Sequence, residues 1–329
     1  MAQMRFWLMI ACALAMPVMA RAQNGPDKTL AARIEYVPIE TLTLSNAQFL
    51  TGDENGKRVT IAGALRMPIA RPPVPLVILV HGSNGVGANN DVWERLLNQM
   101  GIATFALDGF SARGIVSTGA DQAQLSRLTM IVDVYRSLAV LAKHPGIDAS
   151  RIALMGFSRG GEIAVYASMS RFQKLWNKSG ARFAAYIPFY PSCYDRLIGD
   201  TDVAAAPMRI LQGDADDYAS WEQCRSYVDR LRSAGRDAQM ILYPGAMHVF
   251  DTPTIPAAGV NIPTSQTMRD CSIVEEPPGV LRDEATKTPF SYDDSKCVRR
   301  GVHIGYSPGA TSDSERDVKD ILTRAFKLN

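Results

Sequence analysis

Gly156-Phe157-Ser158-Arg159-Gly160 lies between an apolar run, Arg151-Ile152-Ala153-Leu154-Met155, and a helix-forming stretch. The segment has the form G-x-S-x-G. Where that form joins a strand to a helix, the serine sits on a sharp turn with its hydroxyl lifted clear of the sheet. The glycines let the backbone make the turn and let the helix pack close behind it. The pattern alone arises by chance; the strand before it and the helix after it give it weight. Ser158 is therefore the candidate nucleophile.

Working outward, Pro75-Leu76-Val77-Ile78-Leu79-Val80 is a continuous apolar run of strand length, which suits a strand buried on both faces of a parallel sheet. It ends in the loop His81-Gly82-Ser83-Asn84-Gly85. Further strands are expected at Ala31–Pro38, Arg58–Leu65, Ile102–Leu107, Ala184–Tyr190, Met208–Leu211 and Gln239–Tyr243. Helices are expected at Asp91–Met100, Asp121–Ala142, Tyr218–Ala234 and Ser312–Phe326. This alternation predicts an α/β fold with a mostly parallel sheet covered on both faces. Ligands bind such sheets beyond the carboxyl ends of the strands. The serine turn, the His81 loop and the loops after Leu211 and Tyr243 all fall at those ends.

A serine hydroxyl needs a base to take its proton, usually a histidine oriented by a carboxylate. Of the four histidines, His81 follows a strand directly and is better placed to shape its loop. His144 stands at a helix end beside Pro145, and His303 lies beyond the strands. His248 alone sits on a loop after a late strand and is the candidate base. The carboxylate is expected between serine and histidine in the chain. Gly213-Asp214-Ala215-Asp216-Asp217 offers three. Amide donors for a tetrahedral oxyanion are expected from Arg159, just after the nucleophile, and from Ser83 or Asn84 of the His81 loop.

These segments resemble the α/β-hydrolase superfamily, and within it the dienelactone hydrolase family. The matching stretches run from Val80-His81-Gly82-Ser83-Asn84-Gly85 through His144-Pro145-Gly146-Ile147-Asp148, Gly156-Phe157-Ser158-Arg159-Gly160-Gly161 and Phe189-Tyr190-Pro191-Ser192-Cys193. Gly213-Asp214-Ala215-Asp216-Asp217 and His248-Val249-Phe250 complete them. The family's G-x-x-D pattern places the acid at Asp216, with Asp217 as the alternative and Asp214 third. The resemblance implies an α/β-hydrolase fold and hydrolysis of carboxylic esters or lactones. The family's namesakes are cytosolic and use a cysteine nucleophile, whereas this chain carries Ser158. The stretch from Tyr190 to Met208 leaves no room for a large cap between strands 6 and 7.

The chain opens with Arg5, an apolar stretch from Phe6 to Ala20, and the small-x-small triplet Ala20-Arg21-Ala22. This predicts a signal peptide over 1–22 and a hydrolase domain over 23–329, without a membrane span once the leader is cleaved, in a periplasmic or secreted protein. A retained signal anchor is the alternative. The leader carries Arg5 and Arg21 and no acid, so 33 of the 35 basic residues remain against 33 acids. A neutral domain offers no broad field for nucleic acid. Cys12 belongs to the apolar stretch; the other four cysteines predict two disulfides, for which three pairings exist. The pairing preferred is Cys193 with Cys224 and Cys271 with Cys297, the second closing a proline-rich loop. In exported relatives a cysteine after F-Y-P is accompanied by one shortly past the acid, which supports the first. No metal-ligand spacing occurs, and neither metal nor organic cofactor is implied; the oligomeric state is left open.

The stretch 251–305, with Pro253, Pro256, Pro263, Pro277 and Pro278, is expected to be an irregular insertion stapled by Cys271–Cys297 that folds over or beside the active-site mouth, with a surface decoration away from the site as the alternative. The expected partner is a small-molecule ester or lactone. A peptidase on the same fold, and a binding protein that keeps the fold without the chemistry, are the rival readings.

Overall fold

The computed structural model describes residues 31–328; the expected leader over 1–22 lies outside them. The principal strands are β1 (Arg33–Thr43), β2 (Lys57–Met67), β3 (Val74–Val80), β4 (Ala103–Asp108), β5 (Ile147–Phe157), β6 (Ala185–Phe189), β7 (Met208–Gly213) and β8 (Ala238–Tyr243). The helices are α1 (Asn46–Thr51), α2 (Ala88–Gln99), α3 (Thr129–Leu141), α4 (Arg159–Tyr166), α5 (Ser170–Trp176), α6 (Trp221–Ser233) and α7 (Pro308–Phe326).

Every residue of β3 is buried, because the strand lies inside the sheet with helices over both faces. Leu76, Ile78 and Val80 join a core with residues of α3, α4, α5 and α6. Val77 and Leu79 point the other way and join a second core with α2 and α7. Each fully buried aliphatic side chain contributes roughly 1.5–3 kcal/mol. Among the described residues the principal sheet has eight strands, in the order β1-β2-β4-β3-β5-β6-β7-β8. β1 and β2 pair antiparallel, as do β2 and β4; β4, β3, β5, β6, β7 and β8 run parallel. Val80 stands opposite Leu107 and Gly156, Phe157 opposite Phe189, and Gly213 opposite Tyr243. The carboxyl ends are therefore level, and the loops that leave them meet at one rim.

Two expectations need correction. The helix expected over Asp121–Ala142 begins only at Thr129. Before it, Asp121 caps a short 3-10 turn at Gln122–Gln124, and the Arg127 side chain is drawn into a buried ion network. The stretch 251–305 is not irregular throughout. It contains β9 (Val260–Thr267), β10 (Ile273–Glu275), β11 (Leu281–Asp283) and β12 (Arg299–Ile304). β9 pairs with β12, the register shifting between Ile262 and Gln266. β10 pairs with β11 and with the two-residue strand Asp195–Arg196. Disulfides join Cys193 to Cys224 and Cys271 to Cys297. Arg171 of α5 pairs with Glu275 at 2.7 Å, tying the insertion to the helical layer. Among the described residues no helix is long and apolar enough to cross a membrane.

Candidate active site

Close backbone packing makes the turn at Ser158. A side-chain carbon on Gly156 would lie 2.0 Å from the Gly160 carbonyl oxygen; one on Gly160 would lie 2.1 Å from that of Val80. Both obstacles are main chain and cannot move aside. Ser158 itself has φ 54° and ψ −115°, a region that residues with a side chain rarely adopt and that recurs at functional turns. Its amide donates to the Phe189 carbonyl at 3.0 Å, and its carbonyl accepts from Glu162 at 2.9 Å to start α4.

Beyond β8, the chain turns back over the rim and brings His248 to Ser158. The distance from Nε2 to the serine Oγ is 2.8 Å. On the other side of the ring, Nδ1 lies 2.7 Å from Oδ2 of Asp216. A carboxylate only accepts, so Nδ1 carries the proton and Nε2 is left to accept from the hydroxyl. Asp216 also accepts from the amides of Tyr218 (2.8 Å) and Ala219 (2.9 Å) and from Gln212 Nε2 (3.1 Å). Four donors fix it in one orientation. The other acids of that turn face elsewhere. Asp217 accepts from the His303 amide at 2.7 Å and lies 2.8 Å from its ring Nδ1; Asp214 accepts from the Gly245 amide at 2.6 Å. His144 sits 3.4 Å from Glu35, remote from this cluster.

The His81 loop passes against the nucleophile: a side-chain carbon on Gly82 would lie 3.3 Å from Ser158 Cβ. Nε2 of His81 accepts from the Gly109 amide at 3.1 Å, so its proton is on Nδ1 and donates to the Gly82 carbonyl at 2.7 Å. Burial pushes this imidazole below its ordinary range and keeps it neutral for that task. Among the described residues, neither the Ser83 nor the Arg159 amide is spent on a backbone partner. Asn84 accepts from the Ser117 hydroxyl at 2.8 Å.

Further side chains around the site take roles that the sequence reading did not assign. The rings of Tyr190 and Tyr218 lie 4.8 and 4.6 Å from that of His248. Tyr190 donates to Asp251 at 2.7 Å, as does Trp93 Nε1. Burial pushes the Asp251 carboxyl above its ordinary range, opposed by those two donors. An acid directly after Val249-Phe250 was the available hint that this carboxylate is inside. Under α4, Arg127 reaches Glu162 at 2.5 Å and Asp195 at 2.6 Å. Burial pushes Glu162 up to about 7, against the pull of Arg127. Arg159 is buried, and its guanidinium donates to the carbonyls of Leu125 and Gln122.

Comparison with known proteins identifies the family and the fold. The sequence profile of the dienelactone hydrolase family matches residues 61–266. The chain belongs to the dienelactone hydrolase family. Within it, a Yersinia pestis protein named as a carboxymethylenebutenolidase is 28% identical over 214 residues, covering 57% of this chain and 75% of that protein. One of the same name from Methylorubrum extorquens is 27% identical over 213 residues, covering 58% and 68%. A solved structure named as a dienelactone hydrolase from Klebsiella pneumoniae superposes with TM-score 0.53 at 18% identity, over 88% of this chain and 99% of that one. A dienelactone hydrolase-like promiscuous phosphotriesterase from metagenomic libraries gives 0.55 at 15%, over 89% and 98%. These likenesses establish the α/β-hydrolase fold. As a member of the family, the chain is a carboxylic ester hydrolase.

Proposed function

We propose that this family member is an exported serine hydrolase that cleaves carboxylic esters or lactones through an acyl-enzyme. The observation that carries the reading is the chain of hydrogen bonds from Asp216 through His248 to Ser158, at 2.7 and 2.8 Å. His248 takes the Ser158 proton as Oγ attacks the ester carbonyl carbon. The amides of Arg159 and Ser83 hold the resulting oxyanion, each worth roughly 3–4 kcal/mol of transition-state stabilisation. Collapse breaks the carbon–oxygen bond to the alcohol, which leaves with the proton from His248. Water, deprotonated by the same imidazole, then attacks the acyl carbon and releases the acid and the free serine. Asp216 holds the tautomer and stabilises the imidazolium that forms at each step. Protonating His248 removes the base, so turnover declines in acid.

Export, with the leader 1–22 removed and the hydrolase domain over 23–329, belongs to the same proposal; two disulfides support it, since such bonds persist in oxidising compartments. The test is a panel of p-nitrophenyl esters against aminoacyl anilides on the mature protein. The reading expects hydrolysis of esters and little of anilides. The reverse preference means a peptidase, and inertness toward both leaves a binding protein.

A further inference from the structure

Two spaces of unequal size open on Ser158 and His248. One is a cleft of about 320 Å³. The other is a recess of about 20 Å³, lined in part by Arg127, Arg159 and Glu162. The recess has room for about one water molecule. An ester carbonyl placed at Ser158 carries two substituents, and any larger than a few atoms fits only the cleft.

The cleft has two walls of different origin. The His81 loop and the chain around Ser117 supply one. The insertion supplies the other, through Ile255, through Ile262, Thr264 and Ser265 of β9, and through Ile304 of β12. The three isoleucines are only partly buried, so each keeps apolar surface to be covered. Among the lining residues there is no Asp, Glu, Lys or Arg. The wall is also fastened to the histidine. Ile304 bridges to His248, and the Gly305 amide donates to the His248 carbonyl at 3.1 Å.

Resting on the serine-hydrolase reading, we propose that Ile255, Ile262 and Ile304 form the wall that selects substrate, and that the larger half of the ester is an uncharged apolar group lying against them. A carboxylate or ammonium on that half would lose water without gaining an oppositely charged partner. Each methylene that the wall covers contributes about 0.8 kcal/mol, or about fourfold in kcat/KM.

Two ester series, followed by acid release, test this: acetates of alcohols of growing length, and methyl esters of acids of growing length. In each, a carboxylate-ended analogue accompanies the neutral ester. The expected result is a rise of about fourfold per methylene over the first few carbons in one series, and at least a tenfold penalty for the carboxylate-ended analogue. Whichever series rises tells whether acyl or alcohol half occupies the cleft. Ile262→Ala should flatten that slope, with Ile262→Val intermediate, and a melting curve checks that each variant is folded. Flat profiles in both series, or a preference for the charged analogue, would overturn the inference while leaving the serine mechanism intact. Absence of hydrolysis throughout, with no fluorophosphonate label on Ser158, would remove the mechanism and the inference together.

Discussion

A side-chain carbon added at Gly160, beside Ser158, would meet the Val80 carbonyl at 2.1 Å; one added at Gly301, on β12 of the insertion, would meet nothing within 4 Å. The two positions stand for two sides of the site: the elbow that carries Ser158, and the insertion that supplies one wall of the cleft. On the elbow side, main chain packs on main chain, and the position of Ser158 follows from strands locked in register. On the insertion side, Met268, Cys271, Ile273 and Leu281 join the principal core, and Cys271–Cys297, Arg171–Glu275 and Asp217–His303 tie the segment further. The nucleophile is built on tightly packed main chain, and the apolar wall of the cleft on side chains that keep exposed surface.

The sharpest break of this comparison is Ser158→Ala. It should leave the fold intact and lower ester turnover by about 10⁶-fold. A folded variant with wild-type kcat/KM would take the elbow out of the chemistry. Next comes a matched pair of glycine substitutions. Gly160→Ala should cost at least about 3 kcal/mol or prevent folding, because a backbone carbonyl fills the space. Gly301→Ala meets only the strain of its positive φ (90°) and should cost about 1 kcal/mol. Equal losses in denaturant melts would erase the distinction between the two sides.

Replacing Cys271 and Cys297 with serine should cost up to about 3 kcal/mol from the freed loop. The loss should be local: faster proteolysis within 251–305, with the principal sheet still protected in hydrogen exchange. A uniform loss of protection would show that the insertion does not open independently of the principal sheet.

Acidity probes the elbow side, where Glu162 lies on α4 behind Ser158. Burial lifts the Glu162 carboxyl from 4.5 to about 7, so the folded chain holds a proton that the unfolded chain releases. Its contribution to stability is therefore complete below about 4.5 and is lost as the pH rises through about 7. Glu162→Gln should flatten the fall in unfolding free energy across that window. An unchanged slope would place its cause elsewhere.

The same contrast explains what was legible in the sequence. Pro75–Val80 reads directly as a doubly buried strand, since nothing in it tolerates water. The glycines around Ser158 declare close approach, and His248 stands out by its place after a late strand. Asp216 was different: three acids share one turn, and only the family's spacing distinguishes it before the fold turns Asp217 toward His303. The insertion was legible as proline-rich and cysteine-paired but not as strands, because its polar residues alternate with no clear period. Tyr190, Tyr218, Arg127 and Asp251 act through partners distant in the chain, which only the fold brings near. The helical pattern read from Asp121 hides the short turn at Gln122–Gln124 that precedes α3.

The most direct test of the central claim is a fluorophosphonate probe applied to the folded protein, with the labelled peptide identified by mass spectrometry. The account predicts one label, on Ser158, formed with loss of ester hydrolysis and much slowed in His248→Ala. Undiminished hydrolysis with Ser158 unlabelled, or rapid labelling that does not depend on His248, would contradict it.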